Sequence, residues 1–386
     1  MMLCRPRFSL KKMEGYSVET IPEADIIVNA NETNWNLPAS IVEEVQRTVS
    51  KFAFNRYPPM HGEDLSETLA RDLRVGANNI ILGNGSSELL EKACYAFGGM
   101  GRKIAIPYPS FSMYGEYVQL ADSKALQYPL TLEGYIDANA LIAFCHKHKP
   151  DLLIICNPNN PTGNFNSLQV MEQILARVEC PVIMDEAYME FAQGEFGSSN
   201  LSTLSLLGKY NNFMVFRTFS KAFGLASLRI GYGTGAPQLL EIMQKVLLPY
   251  HVNGLTLQIA QIVYANKKEF GSRIKLMQRE RTKLAQACLD LGCRVFPSET
   301  NFLLVQLQGE LAFALATRAI KEGFKRAASN EATAGSYVFK QLLQHKIMVR
   351  DFSNHPALPG ALRITLGRPE ENVQLISALT NICQEG

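Results

Sequence analysis

Several features that define common protein classes are missing from this 386-residue chain. No apolar run approaches the roughly 20 residues that a membrane-spanning helix needs, so we expect no membrane span. None of the eight cysteines forms a C-x-x-C pair, which favours a reduced, cytoplasmic protein. The charges nearly cancel, with 38 Lys+Arg against 36 Asp+Glu, which excludes a strongly basic nucleic-acid-binding protein.

Nucleotide and metal motifs are missing as well. No G-x-x-x-x-G-K-[ST] occurs and no G-x-G-x-x-G follows a predicted strand, which argues against a P-loop enzyme and a nicotinamide dehydrogenase. His146 and His148 lie in HKHKP, a charged loop before a strand, so we expect no metal site. The N-terminal MMLCRPRFSLKK has no apolar core, so we expect no secretory signal peptide.

From about residue 62 the chain alternates helical and extended patterns. The short apolar runs IILG, KIAIP, DLLIIC, VIM and FMVF predict a buried, mostly parallel sheet. A long charged helix is predicted from Glu269 to Asp290, and short strands and a last helix follow it. We therefore expect an α/β fold with an N-terminal arm (1–28), a large domain (29–269) and a smaller α+β domain (270–386).

Polar segments follow four of the predicted strands. They are Gly83–Ser87, Asn157–Asn164, Asp185–Tyr188 and Arg217–Gly224. Because ligands of open parallel sheets bind beyond the carboxyl ends of the strands, we expect these segments to meet at one site.

Lys221 is the candidate nucleophile of that site. An amine, two neighbouring hydroxyls (Thr218 and Ser220) and the guanidinium of Arg229 together suit a phosphate-bearing aldehyde. The hypothesis is that Lys221 forms a Schiff base with pyridoxal 5′-phosphate (PLP), and that Asp185 keeps the pyridine nitrogen protonated. A surface lysine and a helix-capping aspartate are the alternative interpretations.

Further residues gain roles under the same hypothesis. Ser86 and Ser87 open a helix whose N-terminal N–H groups favour phosphate, although a plain strand-to-helix turn explains them equally. Tyr188 and Asn160 could hydrogen-bond the phenolate oxygen of the ring. Phe111 could stack on one face of the ring, and core packing is the alternative for it.

Three motifs carry a family resemblance: N-P-N-N-P-T-G at 157–163, D-E-A-Y at 185–188 and S-K-A-F-G-L-A-x-L-R-I-G-Y at 220–232. With them the chain resembles the fold-type I PLP-dependent aminotransferases over about residues 16–386, and among these the histidinol-phosphate aminotransferases. The resemblance implies an aspartate-aminotransferase-like fold. It also implies a longer connection than usual at about 308–336, which we expect to form an extra helix with a flexible, Ala/Ser-rich end.

The resemblance assigns roles in cofactor binding. It implies that Lys221 is the Schiff-base lysine, that Asp185 pairs with the pyridinium, and that Tyr188 and Asn160 contact O3′. The implied phosphate ligands are Ser86, Ser87, Thr218, Ser220 and Arg229.

The resemblance also assigns residues to the substrate and to the partner subunit. Tyr57 would reach the cofactor phosphate of the other subunit of a homodimer. Arg363 resembles the arginine that binds the α-carboxylate of the amino acceptor, and Arg350 and Tyr16 resemble residues that engage the substrate phosphate. Asn31 borders the substrate in a segment that lacks the proline usual after N-E in the family.

The implied reaction is transamination of L-histidinol phosphate with 2-oxoglutarate, which gives imidazole-acetol phosphate and glutamate. Three alternatives remain open. The chain could be an aromatic or other amino-acid aminotransferase, a lyase similar to threonine-phosphate decarboxylase, or a binding protein of this fold without catalysis.

Overall fold

The structure, a computed structural model, describes Arg7, Leu10, Met13, residues 23–192 and residues 200–384. The prediction for Tyr16 therefore lies outside the described residues. Within these residues, no helix is both long and apolar enough to cross a membrane.

Strands and helices alternate along most of the described chain. The strands are β1 (Ile26–Ile27), β2 (Ile80–Gly83), β3 (Lys103–Tyr108), β4 (Lys124–Pro129), β5 (Leu152–Cys156), β6 (Val182–Asp185), β7 (Phe213–Thr218), β8 (Gly231–Gly235), β9 (Arg294–Val295), β10 (Phe302–Gln306), β11 (Ile347–Met348), β12 (Arg350–Phe352) and β13 (Ala361–Thr365). The helices are α1 (Ala39–Val49), α2 (Glu63–Leu73), α3 (Gly85–Phe97), α4 (Met113–Leu120), α5 (Ala138–His148), α6 (Leu168–Leu175), α7 (Pro237–Gln244), α8 (Gly254–Ala265), α9 (Gly271–Asp290), α10 (Gly309–Lys321), α11 (Asn330–Gln344) and α12 (Pro369–Gln384).

The central sheet has seven strands in the order β2-β8-β7-β6-β5-β3-β4. Strands β4, β3, β5, β6 and β7 run parallel to one another, which confirms the mostly parallel prediction. Every residue of β5, β6 and β7 is buried, because helices cover both faces of such a sheet. The polar residues that follow these strands therefore meet at one edge.

Strand β8 was not predicted, and it runs antiparallel to both β7 and β2. Its sequence, GYGTG, has three glycines, which have a low intrinsic preference for strands. The structure gives a reason for the first of them: a Cβ atom at Gly231 would lie 2.4 Å from the backbone nitrogen of Ser86. Close packing against the start of α3 therefore requires glycine where propensity disfavours a strand.

A second, antiparallel sheet has the order β12-β13-β10-β9. Strand β1 pairs in parallel with β11, so residues 26–27 lie beside the C-terminal part of the chain. The 20-residue helix α9 precedes this sheet, close to the predicted long helix. The domain limits 29–269 and 270–386 stay a prediction.

Residues 308–336 contain helix α10, and much of the Ala/Ser-rich stretch after it belongs to α11, which begins at Asn330. That this connection is longer than usual for the family stays a prediction. The Ser329 hydroxyl accepts a hydrogen bond from the Ala332 N–H and caps this helix. A Cβ atom at Gly335 would lie 2.4 Å from the Ser353 hydroxyl, so the small residues permit close packing.

Candidate active site

The candidate site lies at the carboxyl ends of the central strands. Asp185 is the last residue of β6 and Thr218 is the last residue of β7. The segment after β5 holds Asn160, and α3 begins two residues after β2. Four separate strand ends thus contribute to one region, as the sequence predicts.

Asp185 is a buried carboxylate, only 4% exposed. It accepts hydrogen bonds from the Tyr114 hydroxyl at 2.6 Å and from the Ala187 N–H at 3.2 Å. Burial raises its pKa to about 6 in spite of these two donors. Among the residues that the structure describes, no Lys, Arg or His forms an ion pair with Asp185. Such a carboxylate suits a cationic group of a ligand.

Tyr114 is the site residue that the sequence interpretation missed. It is fully buried, and burial followed by the charge of Asp185 raises its pKa well above the usual value, so it remains a hydrogen-bond donor. Its ring meets that of Phe111 edge-to-face, with the centroids 5.5 Å apart. The available signal was the spacing: Tyr114 lies one helical turn after Phe111, which was a candidate already.

Lys221 lies among positive groups. Its Nζ atom donates a hydrogen bond to the carbonyl oxygen of Ala30 at 3.2 Å. The pKa of Lys221 is lowered to about 8, mainly by burial and next by the charge of Arg363. Glu32 opposes this shift, and the charge of Arg229 adds a smaller lowering. A lysine in this state is prepared to act as a nucleophile near neutral pH.

A small anion cradle lies at the N-terminus of α3. Gly85 has a φ of +77°, and a Cβ atom there would lie 2.7 Å from Nη2 of Arg229. Nη1 of Arg229 donates to the Ser220 hydroxyl at 3.2 Å, and the Ser220 N–H donates to the Thr218 hydroxyl at 3.1 Å. Ser86 is buried in the first turn of the helix. A guanidinium, hydroxyls and a helix N-terminus together are suited to a phosphate.

Ser87, the other predicted phosphate ligand, lies in the same first turn but is only half-buried. It also hydrogen-bonds the hydroxyl of Tyr117, which counteracts the rise in the pKa of Tyr117 that burial causes. The structure therefore places all five predicted phosphate ligands on two neighbouring segments, the first turn of α3 and residues 218–229.

Arg363 and Asn160 are brought together although 203 positions separate them. Nη1 of Arg363 donates to Oδ1 of Asn160 at 2.7 Å, and Nη2 donates to the Asn29 carbonyl oxygen at the same distance. The Asn31 side-chain amide donates to the Tyr188 hydroxyl at 2.9 Å. Burial raises the pKa of Tyr188 to about 12, so it stays protonated. The predicted contact of Asn31 with substrate stays a prediction.

Arg350 lies directly opposite Arg363. The two residues are partners in the antiparallel pairing of β12 with β13, and directly paired side chains lie on the same face of a sheet. Two guanidinium groups on one face of a sheet suit a doubly charged anion such as a phosphate.

Tyr57 lies apart from this group in the chain. Its side chain is 83% exposed and stacks on Tyr250, with the centroids 4.8 Å apart. It also borders a largely apolar cavity of about 490 Å³ between α1, α2 and α8. None of the predicted phosphate ligands lines this cavity.

Other chemistries find less support in the described residues. No group of three or more His, Cys, Asp or Glu among them could hold a metal ion. Burial raises the pKa values of all seven described cysteines above that of a free thiol, which makes them poor nucleophiles: Cys94, Cys145, Cys156, Cys180, Cys288, Cys293 and Cys383.

Comparison with known proteins gives a family match. The family described as aminotransferase class I and II matches residues 25–379. The histidinol-phosphate aminotransferase of Thermoanaerobacter pseudethanolicus is 33% identical over 377 residues, which covers 97% of this chain and 98% of that protein.

Solved structures agree in fold. Histidinol-phosphate aminotransferase of Sinorhizobium meliloti, solved in complex with pyridoxal-5′-phosphate, has a TM-score of 0.85 at 21% identity and covers 100% of this chain and 99% of its own. A mutant aspartate aminotransferase of Thermus thermophilus has a TM-score of 0.76 at 18% identity, with 99% and 100% coverage. These likenesses confirm the predicted aspartate-aminotransferase-like fold.

Proposed function

The chain belongs to the class I and II aminotransferase family, and from that premise we propose that it transaminates L-histidinol phosphate with 2-oxoglutarate. The products are imidazole-acetol phosphate and glutamate, so the enzyme serves histidine biosynthesis. The full-length relative that is 33% identical supports the substrate, and the paired arginines Arg350 and Arg363 support it from the geometry.

The proposed cofactor is PLP, and the residues present are suited to it. The absence of a side chain at Gly85 lets the Arg229 guanidinium lie against the start of α3, and a guanidinium at a helix N-terminus suits a phosphate. Buried Asp185 accommodates a protonated pyridine nitrogen, and that ion pair would satisfy a carboxylate whose pKa burial raises to about 6. When bound, PLP supplies a carbonyl for the amino group and an electron-withdrawing ring that stabilises charge at the substrate α-carbon.

Lys221 has two tasks in this proposal. Its Nζ atom would bind the carbonyl carbon of the cofactor. When it is free, the same amine would accept the proton from the substrate α-carbon, and its pKa of about 8 in the cofactor-free protein suits that role. Tyr188 and Asn160 would hold the ring through its phenolic oxygen.

The paired arginines select the substrate. The phosphate of histidinol phosphate is a dianion, and Arg350 and Arg363 on one sheet face can both donate to it. For 2-oxoglutarate the α-carboxylate carries a single charge, and Arg363 suffices to bind it. This geometry is the observation that favours a phosphorylated donor over an aromatic amino acid.

A single-turnover experiment tests the assignment. Protein loaded with PLP receives L-histidinol phosphate without an acceptor, and the visible spectrum is followed. We expect rapid conversion to the spectrum of pyridoxamine phosphate, with imidazole-acetol phosphate detected as the product. An unchanged spectrum with this substrate but a rapid change with phenylalanine or tyrosine would contradict the substrate. Release of carbon dioxide from threonine phosphate would indicate a lyase instead.

We also propose that the enzyme is a cytoplasmic homodimer. The reduced state of the protein is supported by the seven described cysteines, all of which are unpaired. The dimer is supported by large apolar side chains that are exposed around the cavity at Tyr57: Phe54, Met60, Leu248 and Tyr250. Burying them against a second copy would place Tyr57 within reach of the partner subunit's phosphate ligands.

A further inference from the structure

The backbone of residues 29–31 is held in place by hydrogen bonds from distant side chains. Three successive carbonyl oxygens each accept a hydrogen bond from a side chain distant in sequence. The donors are Arg363 at 2.7 Å, Lys221 at 3.2 Å and Asn301 at 3.1 Å. Asn31 has a φ of 54°, in the left-handed region that Asn tolerates better than most residues. This segment is therefore fixed in place between the two parts of the site.

The side chain of Asn31 is also held by hydrogen bonds. The backbone N–H of Asn31 donates to the Thr365 hydroxyl at 3.0 Å, and that hydroxyl donates to Oδ1 of the Asn31 side chain at 3.1 Å. Nδ2 of Asn31 donates to the Tyr188 hydroxyl at 2.9 Å. Thr365 and Asn31 are each 1% exposed and Tyr188 is 5% exposed, so water does not compete for these hydrogen bonds.

The chemistry of the three groups fixes the direction of each hydrogen bond. A hydroxyl carries one proton, and the Thr365 proton goes to Oδ1 of Asn31, an atom that can only accept. The amide nitrogen of Asn31 must then face Tyr188. Because the Tyr188 oxygen accepts this hydrogen bond, its own proton is left to point elsewhere.

We propose that Thr365 and Asn31 are positioning residues that direct the hydroxyl proton of Tyr188 towards the ring oxygen of the cofactor. Neither residue needs to touch the cofactor for this role. The inference rests on the proposed function in one respect, namely that the cofactor is PLP.

A measurable consequence follows from the charge on the ring oxygen. A proton donated by Tyr188 withdraws negative charge from that oxygen, and this charge would otherwise favour the protonated state of the nearby Lys221 nitrogen. Without the Thr365 hydroxyl, the Asn31 amide is free to turn and accept the Tyr188 proton itself. The nitrogen then keeps its proton to a higher pH, by roughly half to one pH unit for one hydrogen bond.

The experiment is a pH titration of the visible absorbance of the PLP-loaded protein. Thr365→Val should raise the midpoint by this amount, and Tyr188→Phe should raise it similarly. Thr365→Ser, which keeps the hydroxyl, should leave the wild-type midpoint. In the double variant, Thr365→Val should add nothing to Tyr188→Phe, because the proton that it redirects is gone.

The controls separate positioning from stability. Thermal unfolding of each variant measures any loss of folding stability that removal of the buried hydroxyl causes. Lower stability alone does not shift the pH midpoint of the absorbance titration. A wild-type midpoint in Thr365→Val, or a fully additive double variant, would overturn the inference and leave the proposed function intact. A wild-type protein that gains no visible absorbance with PLP would overturn the cofactor assignment and this inference with it.

Discussion

Lys221 shows how the fold changes the chemistry of one side chain. An ordinary lysine has about 0.03% of its amine unprotonated at pH 7, whereas a pKa of about 8 gives roughly 10%. Burial is the largest cause, and the neighbouring charge of Arg363 is the next. The same arginine that suits the substrate anion therefore also prepares the nucleophile.

The first prediction concerns this charge coupling. In apoprotein, the rate at which Lys221 reacts with PLP should rise with pH to a midpoint near 8. Arg363→Met removes a like charge, so the pKa of Lys221 rises and the midpoint moves to higher pH. Arg350→Met is the matched control, with the wild-type midpoint expected. The measurement is stopped-flow absorbance, and an unchanged midpoint in Arg363→Met would contradict the coupling.

The second prediction concerns Asp185 and the stability of the apoprotein. Its pKa rises from 3.8 to about 6, so the folded state binds its proton more tightly than the unfolded state. Stability from this group is therefore present below pH 4 and is lost as pH rises through about 6. Above that pH, Asp185→Asn should be more stable than wild type by about 3 kcal/mol, since two pKa units separate the states.

Urea unfolding of PLP-free protein between pH 5 and pH 8 measures the effect of Asp185→Asn. The difference in the free energy of unfolding between Asp185→Asn and wild type should grow with pH up to about 7 and then stay constant. Asp137→Asn is the control, because Asp137 is exposed and caps α5, where Asn caps equally well. An advantage that does not depend on pH would argue against a buried ionised carboxylate.

The third prediction concerns Arg350. Loss of a charge-assisted hydrogen bond costs about 1.5–3 kcal/mol, so Arg350→Met should lower kcat/KM for histidinol phosphate by roughly 10- to 100-fold. The KM for 2-oxoglutarate should change much less, because Arg363 remains. Steady-state kinetics with each substrate varied in turn measures both effects. Equal losses for the two substrates would show that Arg350 has no special role towards phosphate.

At the level of elements, the start of α3 is the part of the site with the least steric freedom. Gly231 pairs with Gly83 at the end of β2 and packs against the backbone of Gly85 and Ser86. A Cβ atom at Gly231 would lie 2.4 Å from the Ser86 nitrogen, and one at Gly85 would lie 2.7 Å from Nη2 of Arg229. The unpredicted strand β8 thus serves the site, since its glycines permit α3 to approach the end of β7. At these positions the need for close backbone packing, rather than helix or strand propensity, explains why the residues are glycines.

The fourth prediction follows from that packing. Gly85→Ala should lower the affinity for PLP at least tenfold, because the new methyl group would displace the Arg229 guanidinium, which we propose binds the phosphate. The affinity for pyridoxal, which has no phosphate, should fall less. Gly208→Ala is the matched control, since Gly208 also has a positive φ (+87°) but open space around it. Calorimetric titration of apoprotein measures all four affinities, and equal losses for both ligands would contradict the phosphate assignment.

At the level of the whole molecule, Tyr57 is the predicted site residue that is assigned to a partner subunit. Its side chain is exposed and borders an apolar cavity whose lining includes none of the predicted phosphate ligands. A symmetric dimer would bury the apolar surface and exchange this tyrosine between two sites. The assembly, rather than the chain, is then the catalytic unit.

The fifth prediction uses this exchange. Lys221→Ala and Tyr57→Ala should each be nearly inactive alone. Mixed and refolded in equal amounts, they should recover roughly a quarter of wild-type activity, because half of the dimers are mixed and each has one complete site. Refolding either variant alone is the control. No recovery, although sedimentation shows mixed dimers, would place Tyr57 in the site of its own subunit.

The sequence by itself determined the fold class and predicted most members of the candidate site. Apolar runs alternating with helices specify a parallel sheet, and in such a sheet all polar residues that follow the strands reach the same edge. Lys221, Asp185, Tyr188 and Thr218 could therefore be predicted without coordinates. The family motifs added Arg350 and Arg363, which periodicity alone does not reveal.

Only the tertiary structure decided how these residues contact one another. Tyr114 reaches Asp185 across 71 positions, Thr365 reaches Asn31 across 334, and Arg350 opposes Arg363 through the register of two strands. Such contacts depend on loop closure and on the direction of each hydrogen bond, and neither leaves a local pattern in the sequence. Composition and spacing can therefore name the groups of a site, but packing decides which proton each of them holds and where it points.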